Sequence, residues 1–274
     1  VTPMHEADLA RHLAEQTDAR IVLVPLDRIR SGEAGEVYDR VSSDADAVLF
    51  DGVEEDDLEN TGDVLLSRQV RFAVGSSGVT RAVTLAWRKT GKTTGVSEPR
   101  TVGAVERLRV VSGSCSPVTG QQIEKATESG FEAHRVDVSA LLEGDIDEEG
   151  RLIDAASVTL NGGRSCVIYS ASGPLDPRDA PVGDKLGVAL GRVTHDLIQR
   201  AGLRRVMFVG GDTSSHGVAQ LGADALTWAA PLEPGAPLVR AHSDDPSVDG
   251  LEMVLKGGQM GGENFFELVR HGSN

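Results

Sequence analysis

Three times in the second half of the chain, an apolar run of β-forming residues empties into small, flexible, donor-rich residues just before a helical pattern begins. The first crossing is Val110-Val111-Ser112-Gly113-Ser114-Cys115-Ser116-Pro117, with Ser116 placed to cap a helix and Pro117 as its first residue. The second is Met207-Phe208-Val209-Gly210-Gly211-Asp212-Thr213-Ser214-Ser215, and the third Val254-Leu255-Lys256-Gly257-Gly258-Gln259-Met260-Gly261-Gly262-Glu263. In a parallel sheet such turns share the carboxyl edge of the strands, where open α/β folds bind ligands and helix N-termini offer free N–H groups to anions. Glycine lets the backbone approach closely and form anion nests that a Cβ would obstruct, so phosphate is the expected guest. Lys256, one of five lysines beside 22 arginines, stands at a strand end next to the longest glycine cluster and can meet a phosphate as a point charge. Each feature alone has a plainer meaning: a tight connection, a helix cap, a surface lysine. Three such crossings together, and 32 glycines in 274 residues against a usual ~7%, favour a shared site.

The alternation of strand and helix runs through the whole chain. A helix capped by Thr2, with Pro3 at its first position, is expected to end near Thr17. Strands follow at 21–24, 47–50 and 72–74, with helices at 35–41, 57–68 (weakened by Gly62) and from Gly75-Ser76-Ser77-Gly78 to about Trp87. Residues 89–106 lose the apolar periodicity and are expected to be a linker between a domain at 1–88 and a second at 107–274. In the second domain, strands are expected at 108–111, 133–136, 166–169, 206–209, 225–228, 237–239 and 251–255. Helices are expected at 117–129, 152–160, 182–201, from Thr213, and at 263–270. The fold class that follows is two α/β domains with largely parallel sheets flanked by helices. The acidic runs at 54–57 and 145–149 are expected in solvated loops or helix starts. The chain begins at Val1, in what resembles the middle of a domain, so the first domain is expected to be incomplete at its N-terminus and the chain to be the C-terminal part of a longer one.

The formal net charge of −15 disfavours a nucleic-acid surface, which gains affinity by basic counterion release. Two Trp, two Tyr and six Phe give little material for stacking platforms. Cys115 and Cys166 have no partner at CxxC spacing, which points away from a disulfide framework and toward a cytoplasmic setting. No apolar stretch has the length of a membrane span, and the seven histidines show no metal-ligand spacing. Gly91-Lys92-Thr93-Thr94 resembles the tail of a Walker A loop, but the opening glycine is absent, Ala86 standing in its place. No GxGxxG follows a strand, and neither HExxH nor GxSxG occurs.

The loops at 112–116, 210–214 and 255–262, taken in this order with Phe265-Phe266 behind the last, resemble the C-terminal nucleotide-binding domain of the four-carbon acid sugar kinase family. Val74-Gly75-Ser76-Ser77-Gly78 with its helix resembles the end of that family's substrate-binding domain. The resemblance implies ATP and Mg²⁺ as cofactors and phosphorylation of a hydroxyl on a four-carbon or related oxo or branched acid sugar. It places ATP against Ser114 and Ser116, against Gly210, Gly211, Asp212, Thr213 and Ser214, and against Lys256, Gly257, Gly258, Gly261 and Gly262. In this assignment backbone N–H groups cradle the phosphates, Thr213 or Ser214 donates a hydroxyl, Asp212 orients Mg²⁺ or a ribose hydroxyl, and Lys256 offsets charge. Gly257-Gly258-Gln259 replaces the family's commoner Ser-Gly-Asn, a departure expected to mark a different substrate. The family's Asp-Asp-Phe-Thr-Gly-Ala stretch, expected to carry the catalytic carboxylate, does not occur in these residues, so no catalytic base is assigned. A non-catalytic nucleotide-binding regulatory module and a Rossmann-like NAD-dependent oxidoreductase stand as alternatives, and a homodimer is compatible with the sequence.

Overall fold

The computed structural model describes residues 5–93, 101–173 and 183–272, and the chain divides into two compact units, Val1–Ser97 and Glu98–Asn274. In the first unit α1 spans Leu9–Ala14, and its cap is Asp8, whose carboxylate accepts from the N–H groups of Ala10 (2.9 Å) and Arg11 (3.2 Å). The expected cap at Thr2-Pro3 lies outside the described residues, and residues 5–8 are not helical. Strand β1 (Ile21–Val24) pairs in parallel with β2 (Ala47–Phe50), Ile21 facing Ala47. Between them run α2 (Leu26–Arg30) and α3 (Ala34–Val41), and after them α4 (Glu55–Ser67) and α5 (Ser77–Lys89). The strand expected at Phe72–Val74 is not formed. Those residues are coil that joins no sheet, with Phe72 83% and Val74 80% exposed, although both outer edges of the β1-β2 pair are free among the described residues.

The acidic run at 54–57 is a helix start. Glu54 is the N-cap of α4 in a capping box with Asp57, whose carboxylate accepts from the N–H groups of Val53 (3.0 Å) and Glu54 (2.9 Å). Arg30 completes the cluster with a two-pronged bond to both Asp57 oxygens, at 2.9 and 3.0 Å. The Arg30 guanidinium, then the two N–H groups, hold the Asp57 carboxyl well below the usual carboxylate range. A depressed carboxylate pKa stabilises the fold above the unfolded value of about 3.9 and loses that contribution as pH falls below it. Asp57→Asn is therefore expected to lower the melting temperature at pH 7 and to flatten its decline below pH 4. An unchanged acid slope in the variant would show that the carboxylate contributes nothing.

The second unit is built on a seven-stranded sheet. Its strands are β3 (Arg109–Ser112), β4 (Glu132–Arg135), β5 (Cys166–Tyr169), β6 (Arg205–Val209), β7 (Ala225–Glu233), β8 (Ala236–His242) and β9 (Glu252–Lys256), in the order β4-β5-β3-β6-β9-β8-β7. The first five in that order are parallel; β8 and β7 are antiparallel. Strands β7 and β8 are longer than expected and form a hairpin around Pro234-Gly235, where Gly235 has φ +79°. Helices α6 (Pro117–Glu128), α7 (Val138–Glu143), α8 (Ile146–Asn161), α9 (Gly183–Ala201), α10 (Gly211–Ala219) and α11 (Phe265–His271) cover the sheet. The acidic run at 145–149 caps and opens α8, which begins six residues before the expected Leu152. Val182, the expected start of α9, lies outside the described residues.

Two cores follow from the period-two alternation of the strands. Val110, Met207, Val209 and Val254 face α6 and α11 through Ile123, Ala126, Phe265 and Phe266. Val111, Ile168, Val206, Phe208 and Met253 face α8 and α9 through Leu152, Leu160, Leu190 and Val193. Within the expected linker, Lys89 closes α5, residues 94–100 lie outside the described residues, and 101–106 pack onto the second unit. Val102 is buried there and the Val105 N–H donates to the Arg270 carbonyl at 2.8 Å. Arg205, buried at the start of β6, bonds the carbonyls of Gly103 (2.9 Å) and Val269 (2.7 Å) and ties this segment to α11.

Candidate functional site

Strands β3, β6 and β9 are adjacent and end level, Ser112 facing Val209 and Val209 facing Lys256. The ladder runs on into the turns: the Gly113 N–H donates to the Val209 carbonyl (3.1 Å) and the Gly210 N–H to the Lys256 carbonyl (2.9 Å). The three loops therefore leave the sheet side by side. From β3 the chain turns into α6 on one face, and from β6 into α10 on the other, where Gly217 packs against the Phe208 ring. A crevice opens where neighbouring strands send their helices to opposite faces, and this is the ligand position of open α/β sheets.

In the first loop Ser114 is the hub. Its Oγ accepts from the Ser116 N–H (3.2 Å) and shares a 3.2 Å hydrogen bond with Thr119 Oγ1. Ser116 occupies the N-cap position of α6 but makes no side-chain capping bond, and its buried hydroxyl has no partner among the described residues. Cys115, between them, has its thiol pushed up by burial, which argues against a nucleophile.

Gly210 opens the second loop with φ +112°, a conformation that favours glycine, and α10 starts at Gly211, two residues before the expected Thr213. Asp212, Thr213 and Ser214 thus form its first turn. A Cβ on Gly113 would collide with Thr213 Oγ1, so the first and second loops touch through that hydroxyl. Ser214 turns inward, its Oγ 3.4 Å from the Phe208 carbonyl, while Asp212 is exposed. The close seat of α10 depends on Gly187 and Gly191 of α9: a Cβ at Gly191 would stand 2.7 Å from the Gly217 carbonyl oxygen. These two glycines, spaced by one helical turn, were a usable signal in the sequence.

The third loop lies over the first. A Cβ at Gly258 would collide with Ser114 Oγ and stand 3.0 Å from Ser116 Cβ. Beneath it, Lys256 is only 2% exposed, and its Nζ has one weak acceptor, the Gly258 carbonyl at 3.4 Å. No carboxylate among the described residues pairs with it, and burial pushes the amine's pKa down to about 8. Lys256 is thus a buried cation, not a surface lysine. Gly261 has φ +79°, and a Cβ there would sit 2.7 Å from Phe265 Cγ; Gly262 has open space where its Cβ would be. Helix α11 begins at Phe265, with Glu263 and Asn264 between it and Gly262, so Gly261 and Gly262 do not directly precede the helix start.

Sequence reasoning passed over Thr119 and Gln122, which lie on the buried face of α6 with Ile123 and Ala126. Thr119 Oγ1 donates to the Gly258 carbonyl (2.8 Å), and Gln122 Nε2 lies within 3.1 Å of three carbonyls of the third loop. A fourth crossing was also missed, Ser170-Ala171-Ser172-Gly173 after β5. The Ser170 N–H donates to the Ser112 carbonyl (2.9 Å), its hydroxyl is buried without a partner among the described residues, and a Cβ on Gly120 of α6 would collide with the Ser172 carbonyl. The arrangement fits a polyphosphate: among the described residues, a buried amine without a counter-ion and an unpartnered Ser116 hydroxyl, with a glycine-lined rim that has room at Gly211 and Gly262. Among the described residues no group of three or more His, Cys, Asp or Glu gathers to hold a metal, and no helix is long and apolar enough to cross a membrane.

Residues 109–266 match a family described as a nucleotide-binding C-terminal domain, and residues 1–83 one described as a sugar-binding N-terminal domain. The chain is 38% identical over 291 residues to a 3-oxo-isoapionate kinase of Paraburkholderia graminis, covering 99% of this chain and 62% of that protein. It is 29% identical over 280 residues to a 3-oxo-tetronate kinase of Cupriavidus necator, covering 97% and 62% respectively. The chain therefore spans less than two thirds of the length of these relatives. Among solved structures, a Salmonella typhimurium protein matches with a TM-score of 0.72 (23% identity, 97% of this chain, 63% of that one). A Haemophilus influenzae protein matches with a TM-score of 0.64 (23% identity, 98% and 64%). At these identities the likeness is one of fold.

Proposed function

Because the chain belongs to the four-carbon acid sugar kinase family, we propose that it takes part in ATP-dependent phosphorylation of a hydroxyl on a 3-oxo acid sugar, with 3-oxo-isoapionate as the first candidate. The observation that carries the reading is Lys256, a buried amine at the floor of a crevice rimmed by glycine N–H groups. The substrate choice follows the name of the 38% identical relative.

Phosphoryl transfer asks a protein mainly to position groups and neutralise charge. In this reading ATP supplies the transferable phosphoryl group and Mg²⁺ spreads its charge. The N–H groups of the third loop and of the first turn of α10 bind phosphate oxygens. Lys256 holds a proton at Nζ and offsets negative charge, and Ser114, Ser116 and Thr213 line the seam between the loops. Ser214, whose hydroxyl faces the Phe208 carbonyl and whose N–H donates to the Gly210 carbonyl (2.8 Å), steadies the turn and leaves phosphate binding to the N–H groups before it. Asp212, exposed in the first turn of α10, is a carboxylate of this site available to Mg²⁺ or a ribose hydroxyl. The first unit supplies contacts to the acid sugar.

The test is a melting series with ATP, ADP and NAD⁺, followed by a coupled ADP-release assay with 3-oxo acid sugars. A ligand that binds only the folded state adds about 2.7 kcal/mol at ~100 times its Kd, so millimolar ATP should raise the melting temperature by several degrees. A shift with NAD⁺ alone would overturn the reading in favour of an oxidoreductase. These 274 residues, with no assigned base, are expected to bind ATP without sugar-dependent turnover, so the ADP-release arm is run on a chain that also carries the Asp-Asp-Phe-Thr-Gly-Ala stretch. ATP binding with no sugar-dependent ADP release there would overturn the reading in favour of a regulatory module. Gly262→Val should remove most of the ATP shift while leaving the free protein's melting temperature in place, since the side chain enters open space on the rim. Gly261→Ala should instead lower the melting temperature itself, because it strains a left-handed residue and presses on the buried Phe265 ring.

A further inference from the structure

We propose that Gln122 is a positioning residue that holds the 257–262 loop with its N–H groups turned outward, ready for a phosphate chain; the proposal rests on the nucleotide reading above. Gln122 is fully buried in the second turn of α6, and its Nε2 lies 3.0 Å from the Met260 carbonyl, 3.1 Å from that of Gly261 and 2.9 Å from that of Gly262. Three acceptors around one atom fix the amide's orientation, since the flipped form would set Oε1 against three carbonyl oxygens.

The neighbouring carbonyls are held as well. Gly258 O accepts from Thr119 Oγ1, and Gly257 O accepts from the Met260 N–H at 3.2 Å. In a trans peptide unit the carbonyl and the following N–H point in opposite directions. Drawing the carbonyls of Gly258, Met260 and Gly261 down onto α6 therefore throws the N–H groups of Gln259, Gly261 and Gly262 away from it. None of these three N–H groups meets an acceptor among the described residues. Convergent free N–H groups are what an anion recognises. Gln122 Oε1 is itself buried without a partner among the described residues, an arrangement that an apolar side chain of the same size would avoid. What the amide supplies here is its donors.

Calorimetric titration of ATP and adenosine into the wild-type protein, Gln122→Met and Gln122→Glu tests this. Methionine keeps the length and volume of glutamine and removes the donors. Gln122→Met should bind ATP about tenfold more weakly, the equivalent of one lost hydrogen-bonding network, while its affinity for adenosine stays near wild type; its melting temperature falls, because the loop carbonyls lose their donor. The preference for ATP over adenosine thus falls tenfold. In Gln122→Glu a carboxylate faces three carbonyls and a neutral carboxyl can donate to one, so its ATP affinity relative to wild type should recover as pH is lowered from 8 to 5.

An unchanged ATP-to-adenosine preference in Gln122→Met, or an equal loss for both ligands, overturns the proposal and leaves the nucleotide reading standing. Should Gln122→Met not fold, a pH-independent ratio in Gln122→Glu overturns it. Wild-type protein that binds neither ligand removes the nucleotide reading and this proposal together.

Discussion

Replacing Lys256 with methionine is expected to make the free protein more stable and to abolish its response to nucleotide. The amine is 2% exposed, has no carboxylate partner among the described residues, and keeps only a 3.4 Å contact to the Gly258 carbonyl. Removing an uncompensated buried charge while preserving the aliphatic stem relieves desolvation, an effect of about 1 kcal/mol or more when buried ions are replaced by hydrophobes. The same change deletes the one buried cation of the crevice among the described residues. A charge-assisted bond to phosphate lost from a desolvated site costs about 3 kcal/mol, or roughly 100-fold in affinity.

The pH dependence separates the two roles of this residue. Burial lowers the folded-state pKa of Lys256 to about 8, below the unfolded value of about 10.4. Between these values the unfolded chain binds the extra proton, so the free wild-type protein gains stability as pH rises from 8 toward 10.4. Phosphate requires the ammonium form, so nucleotide affinity should fall as pH rises through 8. Lys256→Met should lose both trends. Melting curves at pH 7, 8 and 9.5 with and without ATP read all of them at once. A variant that keeps wild-type ATP affinity within threefold would make Lys256 a packing residue and remove the observation on which the proposed function rests.

Why Lys256 looks like a surface residue in the sequence is instructive. Period two puts it on the same face of β9 as Val254, which is buried against Phe265 and Phe266, so its burial could have been inferred from strand register. Thr119 and Gln122 are harder. Polar residues three apart on a helix suggest a solvated face, and only the folded sheet shows that α6 starts beside the first loop and runs beneath the third. The three glycine loops were legible because φ values such as +112° at Gly210 and close approaches such as Gly258 on Ser114 leave glycine little competition.

Strand limits held where apolar runs had clear ends, as at 21–24, 47–50 and 166–169, and failed at Phe72–Val74, where three residues carry no information about a pairing partner. The first two turns of α8 were missed because an acidic run resembles a loop. There Glu148 is buried, accepting from the Asp137 N–H at 2.8 Å and paired with Arg151, so one of its charges serves the interior.

Gly62 carries the other large expected effect, and its role differs from the one its helix propensity suggests. Glycine inside α4 costs ~1 kcal/mol relative to alanine in propensity, so Gly62→Ala would be stabilising on an isolated helix. In the folded first unit the sign reverses. A Cβ at position 62 would collide with the Ala82 carbonyl oxygen of α5, stand 2.7 Å from the Ala82 carbonyl carbon and 3.1 Å from Ala86 Cβ. Ala82 and Ala86 are themselves almost fully buried, so the two helices meet backbone to backbone along Gly62, Ala82 and Ala86. Small residues at such a seam allow a close crossing, and the obstacle is a carbonyl that cannot rotate away, because it belongs to the ladder of α5. Gly62→Ala should therefore destabilise the first unit by about 2 kcal/mol, and Gly62→Val by more than the ~3 kcal/mol upper end of ordinary overpacking. Hydrogen exchange resolved by segment makes the expectation specific: amides of 55–89 should lose protection in Gly62→Val, while those of β3, β6 and β9 keep theirs. Full protection of α4 and α5 in the valine variant would mean that the helices can separate at little cost and that their close contact contributes little to the unit's stability.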